Sequence, residues 1–269
     1  MFYILNLAKN KIYSIKRSAK MQTIDVVMIT KNSEFMLERS IESIYANVPV
    51  ENLIIIDSSS SDQTLNIINK LKKKYEKIKV LNLEGSRAIA REKGISLVRT
   101  EWFMFIDSDI ILSQNWFKVA EKQIKDDIGA IWGVNIDVVP GVRNKRFVRL
   151  QHFVANYCFS IRGGTHDTLI RYETVKDIKI PNHLQMYEDS FILNWIKKKG
   201  YKAIVGKGLY CLHYKSSANW NKEKGLSHAI NEVRCGLVYS HAYRFALFYP
   251  FFMFFWFLQF SLQFKNNIL

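Results

Sequence analysis

Residues 102–110 read WFMFIDSDI. The apolar run Trp102–Ile106 has the character of a strand buried on both faces, and the polar triplet Asp107-Ser108-Asp109 closes it. On its N-terminal side, the pattern from Arg87 to Val98 predicts a helix and Ile78–Leu83 a strand. Before these, Leu53–Asp57 is an apolar run followed by a Ser-rich turn. Asp62 then serves as N-cap, with Leu65, Ile68, Leu71 and Tyr75 at helical spacing. The first such unit is Ile24–Thr30, with Ser33 as N-cap and Leu37, Ile41, Ile44 and Tyr45 on one helical face. Strands alternating with helices predict an α/β domain whose sheet is mainly parallel, with helices on its flanks. Polar residues follow three strand ends: Thr30 and Asn32, Asp57 and Ser58, Asp107 and Asp109. Ligands of open α/β sheets bind beyond the carboxyl ends of the strands, so these three clusters should meet at one pocket.

The 269 residues suffice for one large domain with a substantial core, and a hydrophobic content of 48% excludes a disordered chain. The formal net charge of +15 predicts attraction to polyanions, among them nucleic acid, anionic lipid and phosphorylated small molecules. Cys158, Cys211 and Cys235 are an odd number without a CxxC pair, which argues against a disulfide framework or a zinc cluster and fits a reducing compartment.

No GxGxxG fingerprint follows the first strand, and Gly200–Gly208 misses a P-loop by one residue of spacing and by a Gly after Lys207. The candidate phosphate chemistry therefore falls to Asp107 and Asp109. Alternate residues of an extended chain point the same way, so both carboxylates can face one divalent ion, and hard oxygen ligands suit Mg²⁺ or Mn²⁺. An N-cap turn is the alternative, because Ser113 and Asp109 both precede a predicted helix around Trp116, Phe117 and Ala120.

From Phe245 to Phe264 about 20 residues pass without a charge, the length that spans a bilayer core. This stretch is expected to associate with a membrane, although Pro250 and its few polar residues leave a half-inserted segment open. Residues 1–20 read as a basic amphipathic segment rather than a signal peptide, since Lys9 and Lys11 interrupt the apolar run. The expected organisation is residues 1–20 as that segment, 21–242 as the catalytic domain and 243–269 as a hydrophobic tail. An anionic membrane surface is the expected partner of the basic body, at the cytoplasmic face.

Six motifs in order, from Ile24 to Tyr214, give the chain a family resemblance: VVMITKN at 26–32, IIIDSSSSDQT at 54–64, GSRAIAREKG at 85–94, FIDSDI at 105–110, GG at 163–164 with LIR at 169–171, and YEDSFILNWIKKKGYK at 187–202. In this order they resemble the family 2 glycosyltransferases of GT-A fold, which are inverting enzymes with a DxD motif. The resemblance implies that Thr30, Asn32, Asp57, Arg87, Asp107 and Ser108 line the nucleotide, with Arg91 packing or pairing nearby. It makes Asp109 the direct ligand of a divalent metal, Mn²⁺ or Mg²⁺, and His213 of LYCLHY the residue completing that site. It makes Asp189 the catalytic base and puts Glu188, Gly163 and Gly164 beside acceptor or sugar. Ser58 stands where many members carry a second acidic residue.

Transfer at an anomeric carbon needs a stabilised diphosphate leaving group, an acceptor oxygen held in line and usually a carboxylate base. Glu188-Asp189 opens an amphipathic helix through Phe191, Ile192, Trp195 and Ile196, whose positive end favours an ionised carboxylate. Stabilisation of the first turn alone is the alternative for one of the pair. The resemblance thus implies single-sugar transfer from a UDP- or GDP-sugar to a membrane-bound acceptor, a lipid-linked glycan or similar hydroxyl, with polyprenyl phosphate as the alternative acceptor. The QxxRW motif of processive synthases is missing after His213. Nucleic acid is not an expected partner, because Lys72–Lys74, Arg143–Arg149 and Lys197–Lys199 lie in separate segments without a binding motif. Trp132 and Trp220 are the sugar-stacking candidates, with the core as the alternative place for each.

Overall fold

The computed structural model describes residues 23–138, 164–184, 187–214 and Phe254. Within them lie the strands β1 (Ile24–Thr30), β2 (Val50–Asp57), β3 (Ile78–Asn82), β4 (Trp102–Asp107), β5 (Ile110–Leu112), β6 (Ile128–Val138), β7 (Asp167–Arg171) and β8 (Lys202–Tyr214). The α-helices are α1 (Leu37–Asn47), α2 (Thr64–Lys72), α3 (Arg87–Leu97), α4 (Trp116–Glu121) and α5 (Glu188–Lys198). The strands form one mixed sheet in the order β3-β2-β1-β4-β7-β6-β8-β5. Its first half is parallel, whereas β7 runs antiparallel to both β4 and β6, and β5 runs antiparallel to β8.

Both faces of the sheet are covered, which explains why its strands are continuous apolar runs rather than alternating ones. Val26, Met28, Met104 and Ile106 face Leu37, Ile41 and Ile44 of α1, Ile68 and Leu71 of α2, and Trp116 of α4. Val27, Ile54, Phe103 and Phe105 face the other way, toward Ala88 and Ile95 of α3 and Ile192 and Ile196 of α5. Gly94 permits this close approach of α3, since a Cβ there would stand 2.4 Å from Val27 Cγ1.

Helix entries differ in detail from expectation. Helix α1 begins at Leu37 after Met36, and Ser33 Oγ turns instead to the Lys31 carbonyl and to Ser108. Asp62 accepts a bond from the Thr64 N–H at 3.0 Å, the cap-like contact expected of it, although the helix starts at Thr64. Trp132 is 5% exposed and belongs to a small cluster with Val134, Ile136 and Val205, so it is a core residue and not a sugar platform. Among the described residues no helix is long and apolar enough to cross a membrane. Residues 1–20, Gly163, Trp220 and the apolar run at 245–264 apart from Phe254 lie outside the described residues.

Candidate active site

Strand register brings the predicted polar clusters to one level. Thr30 pairs with Asp57 across β1 and β2, and Ile29 pairs with Asp107 across β1 and β4, where the strand order reverses. Thr30 Oγ1 donates to Asp57 Oδ1 at 2.9 Å, and Ser60 donates to the same carboxylate from its hydroxyl and its backbone at 2.6 and 2.8 Å. Asp57 is fully buried, so its carboxylate also organises the turn between Asp57 and Asp62. Asn32, at φ 49°, accepts from the Ser61 N–H at 2.9 Å and joins the two loops. Ser108 donates to Ser33 at 2.8 Å and ties the loop after β4 to the loop after β1.

The two carboxylates of the Asp107-Ser108-Asp109 motif have different partners. Strand β4 ends at Asp107 and a turn follows, so simple strand alternation does not govern their directions. Arg91 Nη2 donates to Asp107 Oδ1 at 2.8 Å. Burial disfavours the Asp107 charge, but Arg91, helped by His166 and His213, outweighs it and holds the carboxyl below its ordinary value. Asp109 Oδ2 instead lies 3.0 Å from His213 Nε2, while His213 Nδ1 lies 3.2 Å from Asn135 Nδ2. Pairing of Ile110 with His213 between β5 and β8 places that imidazole beside Asp109. The cap-turn alternative for Asp109 is not what the structure shows: Asn115 precedes α4, and Asp109 faces His213. Asp109 is 41% exposed and His213 17%, which leaves a carboxylate oxygen and an imidazole nitrogen together at an accessible rim. Such a mixed oxygen and nitrogen pair fits a divalent metal, Mn²⁺ more readily than Mg²⁺.

Helix α5 brings the third element. Tyr187, at φ 66°, turns the chain so that Glu188 and Asp189 form the first turn. Glu188 is buried, with Oε1 3.9 Å from Arg91 Nε. Burial and the neighbouring Asp189 charge push its carboxyl up to about 7, against the pull of Arg91 and Arg87. For Glu188, desolvation is the larger effect and opposes the stabilisation that the helix end offers an ionised carboxylate. Asp189 is half-buried, and its Oδ1 accepts from the Ser190 N–H at 2.7 Å. Arg87 is exposed at the start of α3, whereas Arg91 is buried with its guanidinium 4.7 Å from the centroid of the Phe105 ring. The Gly164 carbonyl accepts from the Thr168 hydroxyl, which fixes the entry to β7.

In the sequence His166 reads as an ordinary satisfied histidine and Asp167 carries no signal, although THD directly follows the GG pair. The Asp107 N–H donates to the His166 carbonyl at 3.1 Å, so this segment supports the end of β4. Arg91, expected to pack or pair near the nucleotide, pairs with Asp107 and packs on Phe105.

The loops at the switch point, an acidic strand end with a histidine across the sheet, and two carboxylates opening a nearby helix together form one candidate active site. The chain belongs to glycosyl transferase family 2, whose family model matches residues 25–193. It is 28% identical over 128 residues to a poly(ribitol-phosphate) β-glucosyltransferase of Bacillus spizizenii, 44% of this chain and 20% of the relative. It is 31% identical over 99 residues to the poly(ribitol-phosphate) β-N-acetylglucosaminyltransferase TarP of Staphylococcus aureus, 35% of this chain and 30% of the relative. The chain thus spans a fifth to a third of the length of these curated relatives. Among solved structures, S. aureus TarS 1–349 in complex with UDP-GlcNAc superposes with a TM-score of 0.57 at 20% identity, over 73% of this chain and 60% of that one. A mannosyltransferase from Pyrobaculum calidifontis in complex with GDP-Man and Mn²⁺ gives 0.60 at 16% identity, over 73% and 58%. At these identities the superpositions establish the shared fold.

Proposed function

We propose that this protein is a metal-dependent inverting glycosyltransferase that moves one sugar from a nucleotide-sugar donor to an acceptor hydroxyl at the cytoplasmic face of a membrane. The observation that carries the reading is the pairing of Asp109 with His213 at the end of β4, beside the nucleotide turn at Thr30 and Asp57 and the carboxylates of α5. Names of the relatives support the donor class, since UDP-GlcNAc and GDP-Man occupy the two superposed enzymes.

In this mechanism the loops after β1 and β2 hold the nucleoside, with Asn32 and Asp57 shaping its cradle. Asp109 and His213 would hold the divalent ion, whose chemistry is to neutralise charge on a diphosphate leaving group. Asp189 removes the proton of the acceptor hydroxyl as that oxygen attacks the anomeric carbon. The bond from that carbon to the diphosphate breaks, and the nucleoside diphosphate departs with the electron pair. Glu188, beside Asp189 with its buried carboxyl pushed up to about 7, orients acceptor or sugar.

The acceptor we favour is a lipid-linked glycan or polyol-phosphate polymer. The net charge of +15 suits a polyanionic acceptor beside anionic lipid, and two relatives are named for poly(ribitol-phosphate). The apolar run at 245–264 supplies the membrane contact of this reading. A thermal-shift screen of the full chain with UDP- and GDP-sugars and Mn²⁺ tests the donor assignment, because a ligand of the native state raises its stability. Stabilisation by one nucleotide class, lost in Asp109→Ala, is the expected result. No response to any nucleotide, or full transfer activity in Asp109→Ala, refutes the proposal.

A further inference from the structure

Cys211, two residues before His213 on β8, belongs to a second group of ligating side chains. His166, Asp167 and Cys211 offer an imidazole nitrogen, a carboxylate oxygen and a thiol sulfur, all within 4.8 Å of one another. They come from the loop before β7, the first residue of β7 and the C-terminal part of β8, so only the folded sheet brings them together. Asp167 and Cys211 are completely buried, and the His166 side chain is 15% exposed.

The Asp167 carboxylate is held from one side. Trp116 Nε1 donates to Oδ2 at 2.9 Å, and the backbone of Gly133 also hydrogen-bonds to the carboxylate. Position 133 must be glycine for this, since a Cβ there would stand 1.9 Å from Oδ2. The other oxygen, Oδ1, has no hydrogen-bond partner although it is buried, and neither has His166 Nε2, 3.2 Å away. Burying an incompletely satisfied carboxylate costs free energy, and burial pushes this one up to about 6. A carboxylate fixed through one oxygen by N–H donors, with its second oxygen 3.2 Å from an imidazole nitrogen and a thiol in the same group, has the arrangement in which outer hydrogen bonds orient a metal ligand.

We infer that His166, Asp167 and Cys211 form a binding site for a zinc-class transition-metal ion, distinct from the pair Asp109 and His213. Nitrogen, oxygen and sulfur donors together are the set zinc takes, whereas thiolate is a poor ligand for Mg²⁺ or Mn²⁺. Zinc bonds of roughly 2.0–2.3 Å require only a modest contraction of the group. Binding expels the thiol proton to solvent, so the buried site gains a cation as it gains an anion. The ion would brace the active site, because the His166 carbonyl holds the Asp107 N–H and Cys211 lies two residues before His213 on β8.

Cobalt titration of the full-length protein tests this without reference to catalysis. Co²⁺ bound at the group gives a sulfur-to-metal charge-transfer band, saturates at one equivalent and is displaced by Zn²⁺. The band should vanish in Cys211→Ser and persist in Asp109→Asn, whose site contains no thiol. His166→Asn should weaken Co²⁺ binding on the order of 10–100-fold while leaving the fold intact, which keeps the test decisive if the cysteine variant fails to fold. Absence of the band in the wild type overturns the inference and leaves His166 and Asp167 as a buried ion pair. Its persistence in Cys211→Ser, or unweakened binding in His166→Asn, overturns it equally by assigning the metal to other ligands.

Discussion

Arg91 reaches Asp107 at 2.8 Å with one nitrogen and stands 3.9 Å from Glu188 with another, so one buried guanidinium lies between the carboxylate at the end of β4 and the carboxylate opening α5. In the function proposed above, the nucleotide side and the acceptor side of the site would thereby share a cation. Its remaining buried nitrogens, Nε and Nη1, lack hydrogen-bond partners, so the charge of Arg91 is satisfied mainly by these two acids and the face of Phe105.

Arg91→Met is expected to destabilise the fold by about 3 kcal/mol, since removal of one partner leaves charge buried without compensation. Arg91→Lys should retain more stability than Arg91→Met while losing the planar contact with Asp107. Urea denaturation of the three proteins checks this, and equal midpoints for all would contradict it.

Asp109→Asn and His213→Ala should each reduce Mn²⁺-stimulated transfer on the order of 100-fold or more, and chelation should reproduce the effect in the wild type. Activity measured across a Mn²⁺ series decides the matter. A variant that retains wild-type response to the ion does not hold it.

Asp189→Asn separates the two kinds of acceptor. Loss on the order of 100-fold or more in kcat is expected for a hydroxyl, which needs its proton removed. A phosphate acceptor is already ionised, and a loss of only a few-fold would point to polyprenyl phosphate.

Glu188 makes stability depend on pH. Its carboxyl titrates near 4.5 when unperturbed and about 7 in the folded chain, so the native state binds the proton more tightly between these values. The contribution is full below about 4.5 and is lost as pH rises through about 7. Glu188→Gln should therefore gain in thermal midpoint relative to wild type on going from pH 5 to pH 8. A difference that stays constant across that range would refute the raised titration.

Gly133→Ala is expected to cost about 1–3 kcal/mol through overpacking, because the added methyl meets Asp167 and the Trp116 nitrogen at once. The denaturation midpoint reads the loss directly. Gly200→Ala, where a Cβ meets nothing within 4 Å but φ is 87°, serves as the comparison for backbone strain alone.

Much of the catalytic body was legible in the residues themselves. Apolar runs such as Trp102–Ile106 and the helical spacing of Leu37, Ile41 and Ile44 are local patterns, and a buried parallel strand or amphipathic helix follows from them directly. Positions of Asp57 and Asp107 at strand ends were equally local, and parallel register then sets them side by side. Helix entries were less legible, as Ser33 shows, because its hydroxyl found partners in Lys31 and Ser108 rather than at the start of α1.

What the tertiary structure decided, beyond the pairing of Asp109 with His213 that the family resemblance implies, is which charge meets which. Asp109 and His213 are 104 residues apart, and Asp107 and Arg91 are 16 apart on different elements. Neither pairing has a periodicity that announces it. The raised titration of Glu188 and the meeting of His166, Asp167 and Cys211 likewise depend on desolvation and on contacts between distant strands. Sequence patterns specify each element because backbone periodicity is short-ranged. Electrostatic partnership and burial are set by the packed whole, since a carboxylate's charge depends on what surrounds it in space and not on its neighbours along the chain.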